Sequence, residues 1–102
     1  MLAREKLVRD GIPEIIRNSG GNAQIRKAVG DELDLFIRKK IVEESWELLE
    51  TGDIDEIVDI YEALEAFIEH RKVDSGLLET QKLAKSLARG RFKEGFILQT
   101  EE

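Results

Sequence analysis

The sequence predicts a mainly α-helical fold, an antiparallel helical bundle with short terminal extended segments, in a single domain over residues 1–102 that assembles as an oligomer. Three observations lead there. Two long stretches, about 31–50 and 54–70, carry apolar residues at helical spacing, and only Thr51-Gly52-Asp53 separates them. Helix start and stop residues stand where such elements need them: Asp31, Asp74 or Ser75 at starts, Gly90 at a stop. Strand-like residues are confined to the two ends of the chain.

Taken in order, Lys6-Leu7-Val8-Arg9 reads as a short strand, and Gly11 and Pro13 punctuate it. Ile12, Ile15 and Ile16 then suggest a short helix with Pro near its first turn. Asn18-Ser19-Gly20-Gly21-Asn22 is a loop, and residues 23–29 are ambiguous between extended and irregular structure. Asp31 can cap the first long helix, which runs to about Glu50. A connection of about three residues forces the second long helix, about Ile54 to His70, to return antiparallel beside it. A third long helix starts at Asp74 or Ser75 and ends at Gly90, and Gly95-Phe96-Ile97-Leu98 closes the chain as a short strand able to pair with an earlier extended segment.

Composition excludes several function classes. Cysteine is absent, which rules out disulfides and thiolate metal sites and suits a reducing, cytoplasmic location. No apolar run exceeds three residues, as in Leu35–Ile37 and Phe96–Leu98, so no membrane span is expected; Met1-Leu2-Ala3-Arg4-Glu5-Lys6 lacks a signal peptide's apolar region. The net charge of −6 argues against binding polymeric nucleic acid. The charge is segregated: eleven acidic residues and no Lys or Arg lie from Glu43 to Glu69, and five basic residues and no acid from Lys82 to Lys93. That pattern suits a site binding a cation and a polyanion together, although solvated helix faces produce it too.

The long helices carry acidic pairs at i, i+3, which share a face: Glu44 with Glu47, and Glu56 with Asp59. At about 100° per residue, Leu33, Ile37, Ile41 and Leu48 form one apolar stripe with Glu44 inside it and Glu47 at its margin. On the second helix Ile57, Ile60, Leu64 and Phe67 form the apolar arc, with Glu56 at its edge and Asp59 next to Ala63 and Ala66. Glu62, Glu65 and Glu69 point to the solvated side. Four carboxylates aimed at one seam repel each other and resist desolvation, and a hard divalent cation such as Mg²⁺ resolves that conflict. Glu56 has a competing role as the third residue of a capping box begun by Asp53.

Glu43-Glu44-x-x-Glu47 followed by Glu56-x-x-Asp59 resembles the EExxE…ExxD signature of the MazG-like, all-α nucleoside triphosphate pyrophosphohydrolases, a superfamily that includes dimeric dUTPases and phosphoribosyl-ATP pyrophosphohydrolase. Lys6-Leu7-Val8-Arg9-Asp10-x-Ile12-Pro13 resembles the KLVRDxIP opening of one branch, and Arg89-Gly90-x-Phe92 with Gly95–Leu98 its RGGF tail. Eight residues separate Glu47 from Glu56, fewer than in many members, and Arg91 stands where the tail has a second glycine. The resemblance implies cleavage between the α and β phosphates of a nucleotide, possible as house-cleaning, to release a monophosphate and pyrophosphate. It implies Glu44, Glu47, Glu56 and Asp59 as Mg²⁺ ligands, with Mn²⁺ a substitute. Glu43 is then a helper that orients a ligand or takes the proton of the attacking water, a role Glu47 can also fill. Lys6, Arg9, Lys85, Arg89, Arg91 and Lys93 are the candidates for the phosphates.

Leu35, Val42, Trp46 and Leu49 make a second apolar stripe on the first long helix, which a partner subunit in a homodimer or homotetramer would cover. Packing on a helix face is the expected role of Trp46 and Tyr61, and a favourable place at a helix C-terminus that of His70. Two other readings stay open: a metal- and nucleotide-binding sensor without turnover, and a helical oligomerisation protein whose carboxylates are caps and surface.

Overall fold

The computed structural model describes residues 4–101; Met1-Leu2-Ala3, part of the segment read above for a signal peptide, lies outside them. Four helices are present among the described residues: α1 (Ile12–Asn18), α2 (Gly30–Thr51), α3 (Asp55–Arg71) and α4 (Ser75–Arg89). The chain divides into two compact units, Met1–Arg71 and Lys72–Glu102.

In the first unit, Pro13 occupies the opening turn of α1, where its missing N–H costs nothing. Backbone N–H groups of Gly20 and Gly21 donate to the Arg17 and Ile16 carbonyls and close that helix. α2 does not start on a side-chain cap. Val29 is the extended residue before it, and Asp31 lies inside the first turn beside Glu32, where both charges face the helix's positive end. Gly52 stops α2 in the left-handed region at φ 62°, its N–H donating to the Leu48 carbonyl at 2.8 Å. The hairpin follows as expected, with α3 packed along α2.

That turn also settles the competing role of Glu56. Asp53 Oδ1 accepts from the Asp55 N–H at 3.1 Å, so Asp53 serves the start of α3. The Asp53 N–H, which a capping box would give to Glu56, donates instead to Thr51 Oγ1 at 3.0 Å. Neither reciprocal bond of the box forms, since the Glu56 N–H donates to the Asp53 backbone carbonyl, and the Glu56 carboxylate is left for the seam.

Four side chains are buried among the described residues: Ile37 and Ala63, which are apolar, and Asp34 and Glu44, which are acidic. On α3 the buried arc centres on Ala63, with Glu56, Asp59, Ile60, Ala66 and Phe67 around it. Ile57 and Leu64, expected within the arc, are each 40% exposed. The small Ala63 and Ala66 lie at the centre of that arc, so Glu56 and Asp59 share the seam with Ile60 and Phe67 while Ile57 and Leu64 stand at its edge. Glu62, Glu65 and Glu69 are exposed, as expected.

Asp34 is buried because the far end of the hairpin is clasped there. Arg71, the last residue of α3, donates to both Asp34 oxygens, and Arg38 adds a bond at 2.9 Å from the next turn of α2. His70 Nε2 lies 3.1 Å from the Gly30 carbonyl and 3.9 Å from Asp34, so the helix-terminal place expected for it holds. Hydrogen bonds from Arg71, with Arg38 helping, hold the Asp34 pKa down at about 2 against the opposing effect of burial. A carboxyl whose pKa drops on folding stabilises above its unfolded value and loses that contribution as pH falls through the folded one. Asp34→Asn is therefore expected to lower the thermal midpoint by several degrees at neutral pH, with the gap to the parent closing as pH falls from about 4 toward 2.

In the second unit, Asp74 caps α4 by accepting from the Gly76 N–H at 2.8 Å, and Gly90 ends it at φ 81° with a bond to the Ser86 carbonyl. The two expected strands are not formed. Residues 6–9 and 95–98 enter no ladder among the described residues, and Phe96, Ile97 and Leu98 are at least 85% exposed. A strand exists only through a partner's backbone, and three apolar residues without alternation do not specify one.

Candidate metal centre

The hairpin register brings the predicted carboxylates together near the turn end of the α2–α3 seam. Glu43, Glu44 and Glu47 each offer an oxygen within 4.8 Å of the others, and so do Glu44, Glu56 and Asp59. Glu44 belongs to both groups, and Glu56 lies against Glu47 as well as Glu44. Burial is graded as the helical spacing predicts. Glu44 is 5% exposed, Glu43, Glu56 and Asp59 are half-buried, and Glu47 is at the solvent margin.

Two oxygens in this cluster, Glu44 Oε2 and Glu56 Oε2, are buried without a hydrogen-bond partner. Buried acceptors are almost always satisfied, and an unsatisfied carboxylate oxygen is costlier than a neutral one. Three cations meet the cluster. Arg9 Nη2 donates to Asp59 Oδ1 at 2.8 Å, Lys6 stands 3.8 Å from Glu43, and Lys40 bridges Glu43 at 3.2 Å and Glu44 at 3.3 Å. With all five carboxylates ionised, the three cations leave two negative charges, the charge of one divalent ion.

The electrostatics report the same deficit. Burial, then the charges of Glu47 and Glu44, push the Glu56 carboxyl up to about 7. The hydrogen bond to Asp59 raises the Arg9 pKa. Burial works against the Lys40 ammonium, but its bonds to Glu43 and Glu44 outweigh that and hold its pKa above the ordinary value.

The donor set fits a hard cation: carboxylate oxygens only, two of them lacking any other partner, with Glu47 open to solvent. Metal binding requires Glu56 ionised, so its affinity is linked to pH. Below the ordinary carboxyl range the raised Glu56 pKa favours folding, and that contribution fades as pH rises through about 7 in the metal-free protein. Stabilisation by a divalent ion held at these carboxylates would run the other way. The rise in thermal midpoint at a fixed Mg²⁺ concentration is expected to grow as pH increases through about 7.

Of the six basic candidates, the structure brings Lys6 and Arg9 to the cluster. Lys85 and Arg89 lie on α4 and Arg91 and Lys93 beyond it, all in the second unit. Trp46 and Tyr61 are 60% and 66% exposed, which leaves the Trp46 stripe open on α2 and gives Tyr61 little packing within the chain. Lys40 was missed, although its spacing of three and four residues from Glu43 and Glu44 is readable in the sequence. The Arg9–Asp59 pair spans fifty residues and leaves no local signal. Comparisons with protein-family models, curated proteins and solved structures find no match to this chain.

Proposed function

We propose that the protein is a Mg²⁺-dependent nucleotide pyrophosphohydrolase, acting between the α and β phosphates, with Glu44, Glu47, Glu56 and Asp59 as the metal's ligands. The observation that carries the reading is the pair of buried, unpartnered oxygens of Glu44 and Glu56 inside a cluster two positive charges short. The ordered likeness of the acidic and terminal motifs to the MazG-like enzymes supports it.

The residues suit the chemistry. Hydrolysis of a phosphoanhydride needs positioning, charge neutralisation and an activated water more than a protein nucleophile. Bound Mg²⁺, or Mn²⁺ in its place, neutralises phosphate charge and acidifies a coordinated water. Glu43 or Glu47, at the open side of the cluster, accepts the water's proton as the new P–O bond forms and the bridging P–O bond breaks. Monophosphate and pyrophosphate leave. Lys6 and Arg9, each with at least half of its side chain exposed, swing from carboxylate to phosphate with little desolvation.

Self-association belongs to the same proposal. Val42, Trp46 and Leu49 are 54%, 60% and 73% exposed, and with Ile41 and Ser45 they line an open apolar groove of about 250 Å³. Two buried apolar side chains make a small core among the described residues, and a second copy over this face would enlarge it. Such an assembly would operate in the cytoplasm on small nucleotides.

Incubation of the protein and Mg²⁺ with a panel of nucleotides, assayed for pyrophosphate and monophosphate in equal amounts, tests the activity. At least one member of the panel is expected to be cleaved. A protein that Mg²⁺ stabilises but that cleaves none contradicts the enzyme and favours the sensor reading.

A further inference from the structure

A second cavity, of about 170 Å³, lies beside the acidic cluster within the first unit, lined by Arg4, Lys6, Lys39 and Lys40 together with Phe36 and Glu43. Lys40 and Glu43 belong to both cavity and cluster, since Lys40 bonds Glu43 and Glu44. On α2 the row Phe36, Lys39 or Lys40, Glu43 and Glu47 advances by three or four residues at each step, so basic and acidic chemistry share one face a helical turn apart.

The cavity lining carries more basic than acidic side chains. Glu5 also borders it, but the Glu5 carboxylate is held by Arg26 at 2.7 and 3.3 Å, and the same guanidinium grips Glu32 in the first turn of α2. That bridge pins the segment at residue 5 to the start of α2 and draws the Glu5 carboxylate toward Arg26. Among the described residues Arg4 and Lys39 enter no ion pair, and the Lys39 ammonium stands 5.3 Å from the centre of the Phe36 ring. Four basic side chains thus line the cavity against two carboxylates, Glu5 and Glu43, both of which already bond cations.

We infer that this cavity binds the condensed-phosphate end of the ligand whose adjoining phosphate meets the cluster, with Lys39 and Arg4 as dedicated phosphate contacts and Lys40 shared between phosphate and Glu44. This rests on the pyrophosphohydrolase reading and adds to it a place for the polyphosphate. A phosphate chain running along α2 passes from cation-seeking carboxylates to anion-seeking ammonium groups in about one 5.4 Å turn. The uncharged sugar and base then lie on the Glu47 side, away from Phe36.

Calorimetric titration with inorganic tripolyphosphate, with and without Mg²⁺, tests the assignment. Lys39→Glu and Arg4→Glu alter exposed side chains, so both are expected to fold. Each is expected to weaken tripolyphosphate binding by about tenfold or more. Their Mg²⁺-induced thermal shift is expected to match the parent. Arg17→Glu, an equal charge change at an exposed residue of α1 outside the cavity lining, is expected to leave tripolyphosphate affinity within about twofold, because salt screens charges that do not touch the ligand. Unchanged affinity in both cavity variants, or an equal loss in Arg17→Glu, overturns the assignment. If Mg²⁺ fails to stabilise the parent while tripolyphosphate still binds through Lys39, the metal reading falls and the phosphate cavity stands.

Discussion

Replacing Glu44 by Gln is expected to abolish stabilisation by Mg²⁺ and to cut pyrophosphate release by about 100-fold or more, since even residues supporting a metal ligand matter by about 10- to 100-fold. The same variant is expected to be more heat-stable than the parent when both are metal-free at about pH 8, where the Glu56 carboxyl is mostly ionised. The opposite signs follow from one cause. Glu44 is 5% exposed and belongs to both carboxylate groups; Lys40 meets one of its oxygens, and the other has no partner until a second cation reaches it. An amide of nearly the same shape removes the repulsion of Glu56 and Glu47, and Lys40 keeps its bond to Glu43. Thermal melts with and without Mg²⁺, together with a pyrophosphate assay, check both halves. A variant that loses stability without metal and keeps its Mg²⁺ response would contradict the placement of Glu44.

Trp46→Glu is expected to have the second large effect, on assembly. If a second copy covers the groove of Val42, Trp46 and Leu49, a central Trp there is worth about 2 kcal/mol or more, about 30-fold in dissociation constant. The glutamate adds a charge to the apolar groove it would have to bury. Sedimentation is expected to show the parent associated at micromolar concentration and Trp46→Glu shifted toward monomer. Because Trp46 is 60% exposed in the single chain, the fold of the protomer is expected to survive. A parent that is monomeric at that concentration would contradict self-association.

The hairpin was legible because its determinants are local: helical periodicity on both sides and a short Gly-containing turn leave one arrangement open. The carboxylate cluster was legible for the same reason, since i, i+3 pairs on two antiparallel helices meet once the turn is placed. Long-range pairing was not. Arg71 reaches Asp34 across thirty-seven residues, and Arg9 reaches Asp59 across fifty, through side chains that read as ordinary surface charges. The centre of the α3 arc was also hidden, because aliphatic bulk pointed to Ile57 and Leu64 while the buried residue is Ala63. The terminal strands failed for a related reason: strand residues are a local property, and a ladder is not.

The most direct test of the metal centre is a thermal-melt titration of the metal-free protein with MgCl₂ at about pH 8, with Glu44→Gln run beside it. A saturable rise in midpoint, present in the parent and absent in Glu44→Gln, is the predicted result. No rise at millimolar Mg²⁺, or an equal rise in the variant, would contradict a cation site on the α2–α3 seam.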